Sequence, residues 1–407
     1  MKVLQINAVN KIGSTGRNCY EISNFLLKKG STCVTGCSVG NGSYDKNEFI
    51  IGNKLDVKIH GILSRISGMQ GYFSIKATKK LLEFMDNFNP DVVLLGNLHG
   101  NYINLPMLLK YLSQKDIATV VVLHDCWFYT GKCCHYTIDK CYKWLEKCGN
   151  CPSLNKYNKS WFFDRTEKML NDKKNLFNAI PRLAVVGVSN WITKEAKKAP
   201  VFKNAKEIIR IYNWIDLEKF YPRNIEKLKE KLGLKDYKIL LCVASNWNKE
   251  KGIENIIELS FKLSNTERII IVGNISDEYK KKLNKNVILV PTIESLDILA
   301  EYYSIADVFV QPSLEETFGK VGAEALACGT PVICFDSTAN PELIGEGCGA
   351  VVKDMDINEF YQEIKNILKK GKDFYTKNCI EFASKNFRKD KNIEQYLCLF
   401  ERLKKYR

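Results

Sequence analysis

Two glutamates separated by seven residues, Glu316 and Glu324, stand in the segment Pro312-Ser313-Leu314-Glu315-Glu316-Thr317-Phe318-Gly319-Lys320 and its continuation through Gly329-Thr330-Pro331. Ionised carboxylates only accept hydrogen bonds, so at this spacing the pair can hold sugar hydroxyls on either side of a phosphate bridge. Alternatively, both simply favour a helix N-terminus electrostatically. The pattern puts that helix start near Lys320 and its end at Gly329, which directs the Phe318-Gly319-Lys320 amides toward an anionic or hydroxyl-rich ligand. Near the N-terminus, Gly13-Ser14-Thr15-Gly16-Arg17 separates the first strand from the first helix. Glycines in such a turn let the backbone approach a phosphate. His124 closes the apolar run Thr119-Val120-Val121-Val122-Leu123, and His99 lies in Gly96-Asn97-Leu98-His99-Gly100 after another strand. His60 and His135 offer nothing comparable.

Six of the fifteen cysteines crowd into residues 126–151: Cys126, Cys133, Cys134, Cys141, Cys148 and Cys151. Cys148-Gly149-Asn150-Cys151 is a C-x-x-C knuckle whose glycine permits a tight turn around a metal. Cys141 with Cys133 or Cys134 would complete a tetrahedral thiolate site, and zinc is the ion that suits it. Unligated buried thiols or a redox-labile pair are the competing readings. Four thiolates leave no open coordination position, so such a zinc is structural, and no cofactor is expected for catalysis.

These residues need elements to position them. At 407 residues the chain is long enough for two to three domains, and 45% hydrophobic with 26% charged residues is the composition of a chain that folds throughout. Short apolar runs at 3–7, 32–39, 91–95, 119–124 and 183–188 alternate with helical patterns such as 19–28 and 105–112. The rhythm restarts after residue 212, with runs at 238–244, 269–273, 287–290, 307–311 and 331–335. This predicts an α/β fold of two Rossmann-like doubly wound domains, 1–211 and 212–387, facing a cleft at the carboxyl ends of their strands. A last helical stretch, 392–405, carries Ile393, Tyr396, Leu397, Phe400 and Leu403 on one apolar face that needs a partner.

The net charge of +15 is unevenly placed: residues 1–210 hold 31 Lys+Arg against 16 Asp+Glu, and residues 211–407 hold 30 against 30. The first half therefore attracts anions. No apolar run approaches the roughly 18 to 20 residues that cross a bilayer, and the start does not read as a secretory signal. A cytoplasmic protein with reduced thiols is expected.

Pro-Ser-Leu-x-Glu-x-Phe-Gly, followed by Glu-Ala-x-Ala-x-Gly-x-Pro-Val-Ile, resembles the nucleotide-sugar signature of the retaining GT-B glycosyltransferases called glycosyl transferases group 1. Asn213-x-Ile215-Asp216 with Phe220 and Pro222, Lys251-Gly252, and Ala306-Asp307-Val308-Phe309-Val310 extend the resemblance. The stretch from His124 to Cys133 is similar to a subgroup associated with bacterial exopolysaccharide and capsule assembly. The resemblance implies that Glu324 holds the ribose and Glu316 the donor sugar, with backbone contacts from Phe318, Gly319 and Lys320. It implies that Lys251 neutralises the diphosphate, and that His124 contacts the donor sugar while Asp125 orients it or binds acceptor; His99 is then a candidate acceptor-site residue. The loop holding Gly16 and Arg17 would face the diphosphate. The family usually has an arginine where this chain has Asn246, and Lys249 is the candidate replacement. The resemblance also implies that 388–407 crosses back onto the first domain.

The expected partners are a nucleotide-diphosphate sugar and a saccharide or lipid-linked acceptor, with the basic first domain at an anionic membrane on the inner face of the plasma membrane. The reading that competes is a basic, zinc-bearing nucleic-acid-binding protein. Its lysines are scattered and no base-reading motif accompanies them, so no nucleic acid is expected. A dinucleotide-dependent oxidoreductase is disfavoured because Gly13 to Gly16 lacks the full G-x-G-x-x-G and its acidic partner.

Overall fold

Buried parallel strands organise the chain, and they form two separate sheets. The computed structural model describes residues 1–38 and 46–406. The first sheet contains β1 (Lys2–Ile6), β2 (Thr32–Cys37), β3 (Glu48–Ile50), β4 (Val92–Leu95), β5 (Ala118–Leu123), β6 (Leu183–Gly187) and β7 (Glu207–Arg210), in the order β3-β2-β1-β4-β5-β6-β7. The second contains β8 (Lys238–Asn246), β9 (Glu267–Asn274), β10 (Val287–Val290), β11 (Val308–Gln311), β12 (Val332–Phe335) and β13 (Gly349–Val352), in the order β10-β9-β8-β11-β12-β13. All the strand pairs are parallel. Helices cover both faces of such sheets, which is why Val120–Leu123 and Ile269–Val272 read as unbroken apolar runs and lie buried.

Each sheet reverses its strand order once. In the first, β1 is flanked by β2 and β4; in the second, β8 is flanked by β9 and β11. At such a switch point the loops leaving the two central strands part to opposite faces and open a crevice at their carboxyl ends. The loops after β1 and β4, and those after β8 and β11, therefore hold the positions most suited to a ligand.

The chain divides into two compact units, Met1–Ile211 with Ile393–Arg407, and Tyr212–Asn392. The last helix, Lys389–Lys405, thus starts in the second unit and ends in the first. Ile393, Tyr396, Leu399, Phe400 and Leu403 are buried on it, so Leu399 takes the interior place expected of the half-buried Leu397. Arg402 clamps Glu207 at 2.7 and 3.1 Å and Lys404 pairs with Asp91 at 3.0 Å. Counted by unit, the first holds 35 Lys+Arg against 18 Asp+Glu, a net +17, and the second 26 against 28, a net −2.

The observed strands match the expected runs to within a residue or two. Val39, expected to end β2, lies outside the described residues. The short edge strands β3, β7 and β13 lack a long apolar run and were not expected. Nor was the helix Lys54–Ser67, because its aliphatic residues face outward: His60, Gly61 and Ser64 are buried, while Leu55, Ile59, Ile62, Leu63 and Ile66 are exposed.

Candidate active site

At the switch point of the second sheet, the loop after β8 is fastened to the loop after β11. Leu314 N–H donates to Glu250 O at 2.9 Å, and Asn255 Nδ2 donates to Pro312 O at 3.3 Å. Gly252 caps the helix Ile253–Lys262 at φ +76°, and a Cβ there would lie 2.1 Å from Pro312 O, so only glycine allows this approach. The Lys251 Nζ meets Glu316 Oε1 at 2.5 Å, joining the two loops by an ion pair. Lys251 is held at its backbone by Asn248 Oδ1, which accepts its N–H at 2.9 Å. Glu316 N–H donates to Thr338 Oγ1 at 2.8 Å, which ties in the loop after β12 as well.

The helix Lys320–Ala327 begins as expected, with Gly319 as its cap at φ +81°, and Gly329 follows its end at φ +76°. A Cβ on Gly319 would strike Gln311 Nε2 at 2.5 Å, so the helix start is pressed onto the end of β11. Gln311 in turn donates to Asn340 Oδ1 at 2.7 Å, and Asn340 Nδ2 donates to Ser313 O at 2.9 Å. Glu324 is buried, and the Tyr303 hydroxyl donates to its Oε2 at 2.9 Å. Burial and the Glu324 charge together hold the Tyr303 phenol well above its ordinary range. The Phe318 ring packs against Phe387 at 5.2 Å and Tyr212 at 6.0 Å, which leaves its backbone as the part that can meet a ligand.

The structure thus brings together Lys251, Glu316, Phe318, Gly319, Lys320 and Glu324. Asn246 sits exposed at the end of β8, with Asn274 Nδ2 donating to its Oδ1 at 3.3 Å. Lys249 is 61% exposed and its Nζ lies 3.9 Å from Glu254, on the outside of the same loop.

In the first unit, His99 follows β4 and Asp125 follows β5. His99 Nε2 meets Asp125 Oδ2 at 2.7 Å, and Trp127 N–H donates to Asp125 Oδ1 at 2.8 Å. Gln70 supports both, since its Nε2 donates to His99 O at 2.7 Å and its Oε1 accepts from Trp127 Nε1 at 3.2 Å. Burial pushes the Asp125 carboxyl up, but His99, the Trp127 amide and His135 outweigh it and bring the group down to about 2. An ionised Asp125 assigns the imidazole proton to Nε2 and leaves the Nδ1 lone pair as a base. His124 is the residue immediately after β5 and is half-buried.

Gly13-Ser14-Thr15-Gly16-Arg17, expected as a turn before a helix at Cys19, is already helical: the helix runs Gly13–Lys28. The two glycines masked this start because their helix propensity is low. Gly16 is needed for packing, since a Cβ would stand 3.0 Å from Val9 Cγ2 and 3.2 Å from Lys11 N. Arg17 is half-buried on this helix, at the switch point of the first sheet.

Four positioning residues escaped the sequence reading: Tyr303, Thr338, Gln70 and Lys173. All four are far in sequence from what they hold. Lys173 is buried, donates to Trp127 O at 2.5 Å and Thr130 O at 3.0 Å, and lies 3.8 Å from the Trp127 ring centroid. Burial brings its amine down to about 7, against the opposing pull of nearby thiols and Asp125.

Cys133, Cys141, Cys148 and Cys151 line one small cavity with Thr130, Gly131, Trp144 and Thr166. Cys134 stands apart from it, with Sγ 3.9 Å from His99 Nε2. Among the described residues, His99, Asp125 and Cys134 are the group whose potential ligand atoms all lie within 4.8 Å of one another.

Residues 224–386 match the sequence model described as Glycosyl transferases group 1. This stretch is a glycosyl transferases group 1 domain. It lies wholly within the second unit and contains Lys251, Glu316 and Glu324. An uncharacterized 41.2 kDa protein in the cps region of Klebsiella pneumoniae is 25% identical over 241 residues, covering 56% of this chain and 66% of that protein. The N-acetyl-alpha-D-glucosaminyl L-malate synthase of Bacillus anthracis is 29% identical over 171 residues, covering 40% and 44%. The chain thus spans two thirds or less of the length of these curated relatives. Among solved structures, the sucrose-phosphate synthase of Thermosynechococcus elongatus aligns with a TM-score of 0.72 at 17% identity over 99% of both chains. Anabaena HepE, solved in complex with UDP and glucose, aligns with a TM-score of 0.66 at 16% identity, over 99% of this chain and 100% of that one. The likeness to these solved structures and the two parallel sheets show that the fold is GT-B.

Proposed function

We propose that this protein transfers a sugar from a nucleoside diphosphate sugar to a saccharide acceptor, with retention at the anomeric carbon, in the synthesis of a cell-surface polysaccharide. The observation that carries the reading is the Lys251–Glu316 pair at the switch point of the matched domain, one loop and about one helical turn from the buried Glu324. When the glycosidic bond breaks, the departing diphosphate gains charge, and a positioned ammonium and the Gly319–Lys320 helix start stabilise that change. Glu324, held by Tyr303, accepts from ribose hydroxyls, and Glu316 accepts from the donor sugar. The departing phosphate oxygen takes the acceptor proton on the same face, so no covalent enzyme intermediate is needed. His124, Asp125 and His99 serve the acceptor and the reacting sugar. HepE, solved with UDP and with UDP-glucose, supports the donor class, and the cps-region relative supports the biological setting. A screen of UDP-, GDP-, ADP- and dTDP-sugars tests the reading. At least one should raise the melting temperature and be hydrolysed or transferred; no protection by any, with intact fold, removes it.

We further read the first unit as the membrane-facing and acceptor-binding part, acting on a lipid-linked acceptor at the inner face of the plasma membrane. No helix of the described residues is long and apolar enough to cross a bilayer. The helix Lys54–Ser67 instead presents Leu55, Ile59, Ile62, Leu63 and Ile66 outward, between Lys54, Lys58 and Arg65. Trp161 N–H donates to Arg65 O at 2.7 Å, which places the exposed Trp161, Phe162 and Phe163 at the end of the same helix. An apolar stripe with basic flanks and interfacial aromatics suits an anionic bilayer, and the +17 of the unit complements it. Nucleic acid would use the charge but not the apolar stripe, so it is the less suited partner. The chain should co-sediment with phosphatidylglycerol vesicles at low salt, and Ile59→Asp with Phe162→Asp should abolish this while donor hydrolysis persists. Equal sedimentation of both forms would defeat the membrane reading.

A further inference from the structure

We propose that Cys133, Cys141, Cys148 and Cys151 hold a structural zinc ion that braces the segment following β5. Residues 124–165 contain one short turn of 3-10 helix, Lys143–Leu145, and no other regular element. A segment of that length without secondary structure is uncommon in a packed domain unless something other than backbone pairing organises it. This one has a partial core, in which Trp144 packs on Tyr129 at 4.9 Å and Tyr136 at 5.2 Å. Beside that core lies a cavity of about 20 Å³ on which all four cysteines converge.

The surroundings of the four sulfurs fit a tetrathiolate site. Cys133 and Cys151 are hydrogen-bonded thiol to thiol, although 17 residues intervene between them. The Ser153 amide donates to the Cys151 sulfur and the Gly131 amide to the Cys148 sulfur, the kind of backbone support that orients metal thiolates. The knuckle between Cys148 and Cys151 turns through Gly149 at φ +131° and Asn150 at φ +46°, and Lys143 Nζ donates to both of their carbonyls at 2.9 Å. Trp144 carries a buried indole N–H with no partner, a donor that a thiolate can satisfy. Zinc with four thiolates carries a net charge of 2−, and two buried lysines are at hand to balance it. Lys132 lines the cavity, and Lys173 donates to the carbonyl of Thr130, which lines it too.

Tetrahedral bonds of about 2.3 Å put the sulfurs about 3.8 Å apart. No three of these four lie within 4.8 Å of one another, so binding must draw the sulfurs closer together. The neighbouring His99, Asp125 and Cys134 group is already closer, but its imidazole and carboxylate are engaged with each other at 2.7 Å. It is the site that the experiment must separate from the proposed one.

The test is zinc content of the full chain expressed with zinc supplied. The expectation is about one zinc per chain, retained in Cys134→Ala and His99→Ala and lost in Cys148→Ser. Less than about 0.2 zinc per chain in the unaltered protein overturns the proposal. So does zinc that survives Cys148→Ser or disappears in Cys134→Ala. Because Cys148→Ser could fail to fold, a second measurement uses the unaltered protein. An organomercurial should release the zinc as four thiols are modified, and cobalt(II) in its place should give the intense visible bands of tetrahedral thiolate coordination. Release without thiol modification, or weak octahedral cobalt bands, overturns the site.

Discussion

Lys251 and Glu316 form an ion pair at 2.5 Å although 64 residues separate them in sequence. Their loops follow β8 and β11, adjacent strands on the two sides of the order reversal. In the proposed reaction, a donor diphosphate would bring more negative charge than one carboxylate, compete for the ammonium and leave Glu316 for the sugar. We expect Lys251→Ala and Glu324→Ala each to lower donor turnover at least about tenfold, the scale of losing a charge-assisted contact of about 1.4 kcal/mol or more. Steady-state rates with the donor found in the screen check this, and unchanged rates in both would remove the assignment.

Gly252 has a different role, since its missing Cβ is what lets the two loops dock. Gly252→Ala would set a carbon 2.1 Å from Pro312 O at a φ of +76°. A backbone carbonyl cannot yield as a flexible side chain would, so we expect a loss of about 2 kcal/mol or more of stability, with weaker donor binding. Thermal denaturation with and without nucleotide measures both effects. A variant of normal stability would mean that the loop relaxes freely.

The His99–Asp125 pair should act on the acceptor step. Asp125→Asn removes the carboxylate that holds the proton on Nε2, so transfer should fall by about tenfold or more while hydrolysis of the donor in the absence of acceptor changes little. Comparing the two rates in one preparation decides the matter. Equal losses in both would assign the pair to the donor instead.

His60 gives the first unit a pH dependence. Its Nε2 accepts Gly71 N–H at 3.2 Å and its Nδ1 contacts Ser74 Oγ at 2.7 Å, so the neutral ring is the one that fits. Burial brings its pKa down from 6.5 to about 4. The unfolded chain therefore binds a proton that the folded chain refuses, and stability is full above pH 6.5 and falls as pH drops toward 4. The loss is up to about 3 kcal/mol. Urea melts at pH 7.5 and pH 4.5 should show it, and His60→Gln should flatten the difference. An equal difference in that variant would assign the effect to other groups.

Much of this protein was determined by sequence alone. The apolar runs specified two doubly wound sheets, because strands buried on both faces must be continuously apolar. The segment from Pro312 to Ile333 specified a strand, a loop, a helix and a second strand, with Glu316, Gly319 and Glu324 in their observed places, because each glycine and proline there has one conformational use. Other features required the tertiary structure. Gly13 to Arg17 reads locally as a turn, since nothing local reveals that Gly16 must pack on Val9–Lys11. Tyr303, Thr338 and Gln70 carried no signal, because each acts on a residue distant in the chain. The helix Lys54–Ser67 was hidden by having its apolar residues on the outside, a placement that only the fold defines. The cysteine spacing suggested a metal, whereas the shared cavity and the buried Lys132 and Lys173 depend on how distant segments pack. Local patterns record which residues must be buried or turned; which of them meet is settled by the order of strands in the sheet.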